Sequence, residues 1–253
     1  PHYSSLHPEL AVKRISNFSA VWRDKNGLSY IDPAAELFWD YIVAYSKELH
    51  AIGFDEINYD YIRFPSDGDM TDIRYELSST TPKAEVIRNF FAYLRAEMAE
   101  TVVPLSADLF GLTTSATGDL GIGQTLEDAL AYFDYVSPMV YPSHFGYGFI
   151  GIPKPATKPY EVVKYSMDQA AMKAYAASST PAKIRPWLQA FDLGAIYTPA
   201  MVQVQMQATY DAGLTSWMLW NAASVYRKDF LASSEYGTST ALLSTSTPLR
   251  DPE

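Results

Sequence analysis

The chain contains no cysteine, few histidines and no long apolar run. The absence of cysteine from its 253 residues excludes disulfide scaffolds, thiolate metal sites and cysteine nucleophiles, and it leaves the cellular compartment open. Of the four histidines, no two have the spacing of a metal-ligand pair on a helix, so we expect no metal. No run of 18 apolar residues occurs, and we expect no membrane-spanning segment in this chain.

Basic residues are in the minority. The chain has 19 Lys and Arg against 29 Asp and Glu, a net charge of −10, and basic residues nowhere form a cluster of five or more. This distribution argues against a surface for duplex nucleic acid or anionic membranes, so we expect no nucleic-acid partner. Apolar residues make up 48% of the chain and charged residues 19%, which excludes wholesale disorder and allows one large domain.

Aromatic residues are abundant, at 14% of the chain with 19 Tyr and 5 Trp. Amphipathic rings of this kind favour surfaces that stack on flat ligands such as sugar rings. A tyrosine-rich core explains the composition equally well.

The last segment differs from the rest. Residues 232–253 are rich in Ser and Thr and show no clean period, which predicts a tail or linker. Residues 1–231 are therefore expected to form the domain itself.

Helical periods and short β-prone runs alternate along that domain. Helix-start signals occur at Asp32-Pro33, Thr81-Pro82, Thr125 with Asp128, and Thr198-Pro199. Strands are predicted at 54–62, 102–109, 134–141, 184–191 and 214–221. Because no hairpin turn separates these strands, we expect parallel pairing with right-handed crossovers.

Two α/β architectures fit this alternation: a doubly wound open sheet and a (βα)8 TIM barrel. The P-loop is missing, and Gly121-Ile122-Gly123 lacks the strand context and third glycine of a dinucleotide fingerprint, so no cofactor is expected. Polar residues recur at the carboxyl ends of the strands, where a barrel builds its site, and we favour the barrel. Five of eight βα units are visible, which predicts that the first three precede Pro1. Residues 19–31 are predicted to form a hairpin within a loop.

The alternation of side chains sorts the first strand into two faces. Ile57, Tyr59 and Tyr61 form an apolar face that we expect to point toward the helices. Asn58 and Asp60 then point toward the barrel axis.

In the second strand, the same alternation points Ser106 and Asp108 toward the axis. Asp60 and Asp108 therefore share one face of neighbouring strands, near the carboxyl ends. Adjacent strands lie about 5 Å apart, so the two carboxylates are expected within the roughly 5–5.5 Å used by retaining glycosidases. One carboxyl group could donate a proton while the other attacks or stabilises the sugar, and Arg63 could hold one of them ionised. The residues do not assign the two roles, and an Asp at a strand end can also be a helix cap.

Further candidates for substrate binding lie at the inward positions and strand ends. These are Asn58, Arg63, Tyr141, His144, Trp187, Gln189, Trp220 and Asn221. Inward aromatic residues can also be plain filling, and His144 could instead cap a loop carbonyl. Asp55, Glu56 and Asp134 begin their strands, so we assign them to the opposite, stabilising end of the barrel.

Five segments in order resemble the bacterial family called putative glycosyl hydrolase domain, a domain of unknown function. They are 53–68 (GFDEINYDYIRFPSDG), 106–111 (SADLFG), 137–144 (SPMVYPSH), 186–189 (PWLQ) and 217–221 (WMLWN). The resemblance extends from about Pro8 to Tyr226. It implies a glycosidase-like TIM barrel similar to that of α-amylases or chitinases, a glycan partner, and an extracellular or cell-envelope location. Asp60 and Asp108 match the carboxylates of the family pattern, whereas its first three barrel strands are not in this chain.

Two hypotheses of function follow. The first is a glycoside hydrolase that acts on a polysaccharide or oligosaccharide through Asp60 and Asp108. The second is a non-catalytic barrel that binds glycans. A Schiff-base aldolase is disfavoured because no lysine lies at the carboxyl end of a predicted strand, and a metal-dependent amidohydrolase because only His144 could face the site.

Overall fold

The computed structural model describes residues 2–231, so Pro1 and the predicted tail at 232–253 lie outside the described residues. The α-helices are α1 (His2–Leu6), α2 (Glu36–Ala51), α3 (Lys83–Glu97), α4 (Leu126–Tyr132), α5 (Pro159–Ala176) and α6 (Pro199–Asp211). The strands are β1 (Lys13–Arg14), β2 (Ile57–Tyr59), β3 (Ile73–Arg74), β4 (Leu105–Phe110), β5 (Tyr135–Met139), β6 (Trp187–Gln189) and β7 (Met218–Trp220).

Five of these strands form one parallel sheet in the order β2-β4-β5-β6-β7. Neighbouring strands are joined through helices, and the sheet curls into half of a barrel. The predicted succession of strand–helix units and their parallel pairing are confirmed. The three further units expected ahead of Pro1 stay a prediction.

The strands are shorter than the sequence predicts. β2 ends at Tyr59 because Tyr61 adopts a left-handed backbone with φ of 58°, which turns the chain out of the sheet. In the fourth parallel strand, Ile184 makes only an isolated bridge to Val136 before the regular ladder resumes at Trp187.

The outer face of the sheet carries the core. The apolar stripe of α3 is buried there, and it comprises Val86, Ile87, Phe90, Phe91 and Leu94. Two of the predicted helix starts carry the expected cap: Thr125 Oγ1 accepts a hydrogen bond from Asp128 N at 3.2 Å, and Thr198 caps α6 in the same way. The start predicted at Asp32-Pro33 is wrong, because α2 begins at Glu36 and Asp32 instead accepts hydrogen bonds from Leu77 N and Ser78 Oγ. Ile57 and Tyr59 are buried under this layer, as their phase predicts.

The predicted hairpin lies before α2 and outside the parallel sheet. Arg23 and Ser29 pair in an antiparallel bridge, and Gly27 supplies the left-handed residue of the turn. Asp24 Oδ1 accepts hydrogen bonds from the backbone of Asn26 and Leu28, both at 2.8 Å. These bonds hold the loop compact beside β2.

Gly111 permits β4 and β5 to approach at the carboxyl end of the sheet. A Cβ at this position would collide with the carbonyl oxygen of Met139 and lie 3.1 Å from Val140 Cα. Because both are backbone atoms, we expect Gly111→Ala to lower the free energy of unfolding by about 1–3 kcal/mol. Urea denaturation measures this change. Gly118→Ala, where a Cβ meets nothing within 4 Å, is the matched control and should be near neutral.

None of the helices within residues 2–231 is both long and apolar enough to span a bilayer.

Candidate active site

A cleft of about 530 Å3 opens at the carboxyl ends of the parallel strands. Seven of the residues singled out from the sequence line it: Asp60, Arg63, Asp108, Tyr141, His144, Trp187 and Trp220. The cleft thus lies where the polar strand ends of a half-barrel converge.

The register of β2 and β4 brings the two candidate catalytic residues to neighbouring positions. Asn58 pairs with Ser106 and Tyr59 with Ala107, so the continuation of both chains brings Asp60 next to Asp108. The negative charge of Asp60 contributes to raising the pKa of Asp108. The structure therefore places both groups on one wall of the cleft.

Asp108 is buried and held at both oxygens. Trp187 Nε1 donates to Oδ1 at 2.8 Å, and Asn58 Nδ2 donates to Oδ2 at 3.0 Å. Burial raises the pKa of Asp108 to about 6, with the charge of Asp60 adding to the rise and the two hydrogen bonds opposing it. A carboxyl group with this pKa can exchange a proton close to neutral pH.

Asp60 lies in a more open position. Its Oδ1 accepts a hydrogen bond from Tyr61 N at 2.6 Å. Burial of the carboxyl raises its pKa, although the residue as a whole remains exposed, and the charge of Arg63 opposes that rise. Arg63 donates its own hydrogen bonds to Phe64 O and Ser66 Oγ, so it acts on Asp60 as a nearby charge.

A polar chain beneath Asp108 fixes Asn58. Ser106 Oγ lies 2.7 Å from Asn58 Oδ1 and 2.6 Å from Glu56 Oε1, and its single proton serves both acceptors. Glu56 also forms a two-pronged ion pair with Arg185. Burial raises the pKa of Glu56, but the hydrogen bonds from Arg185 and Ser106 outweigh it and lower the pKa overall. Glu56 thus supports the site from the amino-terminal ends of the strands.

Aromatic rings also line the cleft. Trp187 and Trp220 meet edge to face with centroids 5.8 Å apart, and Trp220 remains 42% exposed. Tyr141 contacts His144 in a similar edge-to-face arrangement. Burial lowers the pKa of His144, which favours its neutral form. These rings offer apolar faces beside the carboxylates.

Three predicted binding residues do not line the cleft. Asn58 is exposed but donates its side-chain amide to Asp108. Gln189 is fully buried and ties two loops together by accepting from Ser143 N and donating to Phe191 O. Asn221 Nδ2 donates to Ala190 O at 2.6 Å. In this structure, the side chains of Gln189 and Asn221 form hydrogen bonds with the backbone of loops.

The cleft is also lined by residues that were not predicted from the sequence as site residues: Tyr61, Phe110, Gly111, Leu112, Gln124, Met139 and Phe145. The outward assignment of Tyr61 is wrong, because its left-handed backbone breaks the alternation of the strand and leaves the side chain exposed. Gln124 joins the ends of two strands by accepting from Phe110 N and donating to Ile62 O. No sequence pattern marks this glutamine.

Across residues 2–231, no group of three or more His, Asp or Glu side chains is placed to hold a metal ion.

Comparison with known proteins agrees with this geometry. A family model described as "Putative glycosyl hydrolase domain" matches residues 1–226. The chain belongs to this family. The resemblance carried by the five sequence segments is thereby confirmed. No curated protein matches the chain.

Solved structures show where the glycosyl hydrolase domain fits among known folds. The chitinase from Chromobacterium violaceum is 14% identical, with 83% of this chain and 75% of that chain covered and a TM-score of 0.53. The spore cortex-lytic enzyme SleL from Bacillus cereus is 13% identical, with 78% and 52% covered and a TM-score of 0.51. Both structures share a TIM-barrel-like glycosidase fold with this chain.

A hypothetical protein from Ruminiclostridium thermocellum is 40% identical over 43% of this chain and 52% of that chain, with a TM-score of 0.38. The chain therefore spans about half the length of this protein, as it does of SleL.

The hydrogen bond from Trp187 tunes Asp108 in this glycosyl hydrolase domain. Because that bond favours the ionised carboxylate, we expect Trp187→Phe to raise the pKa of Asp108 while the pocket stays apolar. Titration of the Asp108 carboxyl carbon by NMR measures the shift. Trp220→Phe removes a tryptophan from the same cleft and should leave that pKa in place. An unchanged or lower pKa in Trp187→Phe would contradict the role given to the indole.

Proposed function

We propose that the chain is a glycoside hydrolase that cleaves an oligosaccharide or polysaccharide in the cleft of Asp60 and Asp108. One observation carries the proposal. Two carboxyl groups at the ends of adjacent parallel strands line one cleft, and burial raises the pKa of Asp108 to about 6. Paired carboxyl groups with different environments are the common machinery of glycosidic bond hydrolysis.

The different environments of the two carboxyl groups suggest a catalytic role for each. Asp108, protonated below about pH 6, donates its proton to the glycosidic oxygen as the bond from that oxygen to the anomeric carbon breaks. Asp60, whose carboxylate accepts a hydrogen bond from Tyr61 N and lies near the charge of Arg63, attacks the anomeric carbon or takes a proton from the attacking water. The first course retains the anomeric configuration and the second inverts it.

The aromatic rings of the cleft support a sugar as the substrate. Trp220 exposes part of its ring into the cleft, and Trp187 and Tyr141 line the same space. The faces of such rings pack against the C–H faces of sugar rings, while the polar strand ends meet the hydroxyl groups. Stacking would hold the sugar over the carboxylates.

Release of reducing ends from a glycan panel tests the proposal. The panel includes chitin oligosaccharides and spore cortex preparations, because a chitinase and a spore cortex-lytic enzyme share the fold. We expect hydrolysis of at least one glycan, with a rate that falls as pH rises through about 6, where Asp108 loses its proton, and that falls again in acid as Asp60 becomes protonated.

Retained glycan binding without hydrolysis across the panel would contradict the enzyme proposal. It would favour the alternative of a non-catalytic glycan-binding barrel. NMR detection of the first anomer released then distinguishes retention from inversion for any glycan that is cleaved.

A further inference from the structure

The polar chain beneath Asp108 connects the cleft to the amino-terminal ends of the strands. Asn58 Nδ2 donates to Asp108 Oδ2 at 3.0 Å, and Asn58 Oδ1 lies 2.7 Å from Ser106 Oγ. Ser106 Oγ also lies 2.6 Å from Glu56 Oε1. Ser106 is fully buried, so its hydroxyl group depends on these two neighbouring oxygens.

This polar chain lacks one proton when the Asn58 oxygen faces Ser106. The Ser106 hydroxyl has a single proton, whereas Asn58 Oδ1 and the Glu56 carboxylate are both acceptors. Whichever of them receives that proton, the other acceptor faces the Ser106 oxygen with no proton between them. Burial raises the pKa of Glu56, but the hydrogen bonds from Arg185 and Ser106 outweigh it and keep Glu56 ionised. Glu56 therefore does not supply the missing proton.

Turning the Asn58 amide over removes this shortage. The amide nitrogen and oxygen have nearly the same size, so both orientations fit the same space. After the turn, Asn58 Nδ2 donates to Ser106 Oγ, and Ser106 donates its proton to Glu56. The amide oxygen then faces Asp108 Oδ2, which is favourable only if Oδ2 carries a proton. Asp108 Oδ1 accepts from Trp187 Nε1 at 2.8 Å, which favours Oδ2 as the protonated oxygen.

We propose that the Asn58 amide turns over each time Asp108 gains or loses a proton, driven by the single proton of Ser106. With Asp108 ionised, Asn58 donates to the carboxylate; with Asp108 protonated, Asn58 accepts from it and each group in the polar chain has a partner. The inference rests on the proposed function and adds its regulation, because the polar chain favours the form of Asp108 that donates to the glycosidic oxygen. A glycosidic oxygen that enters the cleft competes with the Asn58 oxygen for that proton. Ser106 and Glu56 are positioning residues, since they act through Asn58.

Other charged and titratable groups also face the polar chain. They are Asp60 and Arg185 near Asp108, Tyr141 near both candidate carboxylates, and Arg185 and Asp134 near Glu56. Burial and the nearby carboxylates raise the pKa of Tyr141, so it stays neutral where Asp108 titrates. Burial raises the pKa of Asp134, but hydrogen bonds from Leu105 N and Arg95 lower it overall, so Asp134 stays ionised. Asp60 can titrate in this range, but its carboxylate accepts from Tyr61 N instead of Asn58.

The sign of one pKa change tests the proposal. Ser106→Ala removes the hydroxyl for which the two acceptors compete, so Asn58 keeps its N–H on the Asp108 carboxylate. The titration midpoint of the Asp108 carboxyl carbon, followed by NMR, should then fall by roughly half to one pH unit. If Ser106 only anchored Asn58 as a donor, its loss would raise the midpoint. A midpoint that rises or stays in place overturns the proposal.

Ser137→Ala is the matched control for this variant. Ser137 lies opposite Asp108 in the register of β4 and β5 and is fully buried, and its hydroxyl has no hydrogen-bond partner among residues 2–231. The same chemical change should therefore leave the midpoint of Asp108 in place. An equal fall in Ser137→Ala would overturn the proposal, because the effect would not depend on the polar chain.

Neutron diffraction from wild-type crystals observes the amide directly and does not depend on the folding of a variant. Well below the Asp108 midpoint, we expect the Asn58 deuterons to face Ser106 Oγ, and well above it, Asp108 Oδ2. The same orientation at both pH values overturns the proposal.

The pH profile of hydrolysis connects the turn of the amide to activity. For any glycan that is cleaved, the high-pH limb of kcat/KM in Ser106→Ala should move to lower pH by the same amount as the NMR midpoint, and a limb that stays in place would contradict the regulatory role. NMR titration and neutron diffraction do not require turnover. A failure of hydrolysis and a failure of the amide to turn are therefore observed separately.

Discussion

Replacing Asp108 with asparagine is expected to lower kcat by about 10²–10⁴-fold, because the variant loses the proton that the wild-type group donates. Asparagine has nearly the same shape, and its Oδ1 still accepts the bond from Trp187 Nε1. Its amide also meets Asn58, which can turn its own amide over to accept a hydrogen bond. We therefore expect a nearly unchanged melting temperature together with the loss of activity, measured on the best substrate of the glycan panel.

The control for this variant lies just ahead of the neighbouring strand β2, on the segment that also carries Asp60. Asp55→Asn makes the same chemical change at the opposite end of the segment, where the side chain is exposed, and should leave kcat unchanged. Asp60→Asn should resemble Asp108→Asn, and the double variant should be little worse than either single one, since groups that act as a unit are not additive. Wild-type rates in Asp108→Asn, or unfolding of both single variants, would sink the paired-carboxylate mechanism.

The order of elements was predictable because its causes are local. A helix cap such as Thr125 with Asp128 involves neighbours in sequence, and the apolar stripe of α3 repeats with the helical period. Both signals survive without knowledge of the rest of the chain. Strand ends were harder, since Tyr61 leaves the sheet through a backbone conformation that nothing in a Tyr-Asp-Tyr-Ile sequence demands.

The sequence predicted which face of the sheet the candidate site residues occupy, but it did not predict how deeply each of them is buried. Alternation along a strand is geometric, so the inward phase of Asp60 and Asp108 follows from their spacing alone. The burial of a side chain depends on contacts between segments that are distant in sequence. Gln189, for example, faces inward but is covered by the loops to which it hydrogen-bonds. The ion pair of Glu56 with Arg185 joins residues 129 positions apart, and it left no signal in the sequence.

Phe91→Ala is expected to have the opposite signature from Asp108→Asn, with stability lost and chemistry kept. Phe91 is fully buried in the helix layer and meets Phe133 edge to face, with centroids 4.9 Å apart. Truncating a buried phenylalanine removes its transfer free energy and leaves a cavity, which together cost about 3–5 kcal/mol of unfolding free energy. Urea denaturation measures this loss, and Phe54→Ala, at a side chain that is 53% exposed, should cost far less.

The activity of Phe91→Ala distinguishes the two faces of the sheet. Phe91 does not line the cleft, so kcat per folded molecule should stay within about twofold of wild type at a temperature where the variant is folded. A large fall in kcat without unfolding would mean that the helix layer positions the carboxylates directly. The expected result, combined with a folded and inactive Asp108→Asn, would instead assign chemistry to the inner face of the strands and stability to the outer face, as in complete barrels.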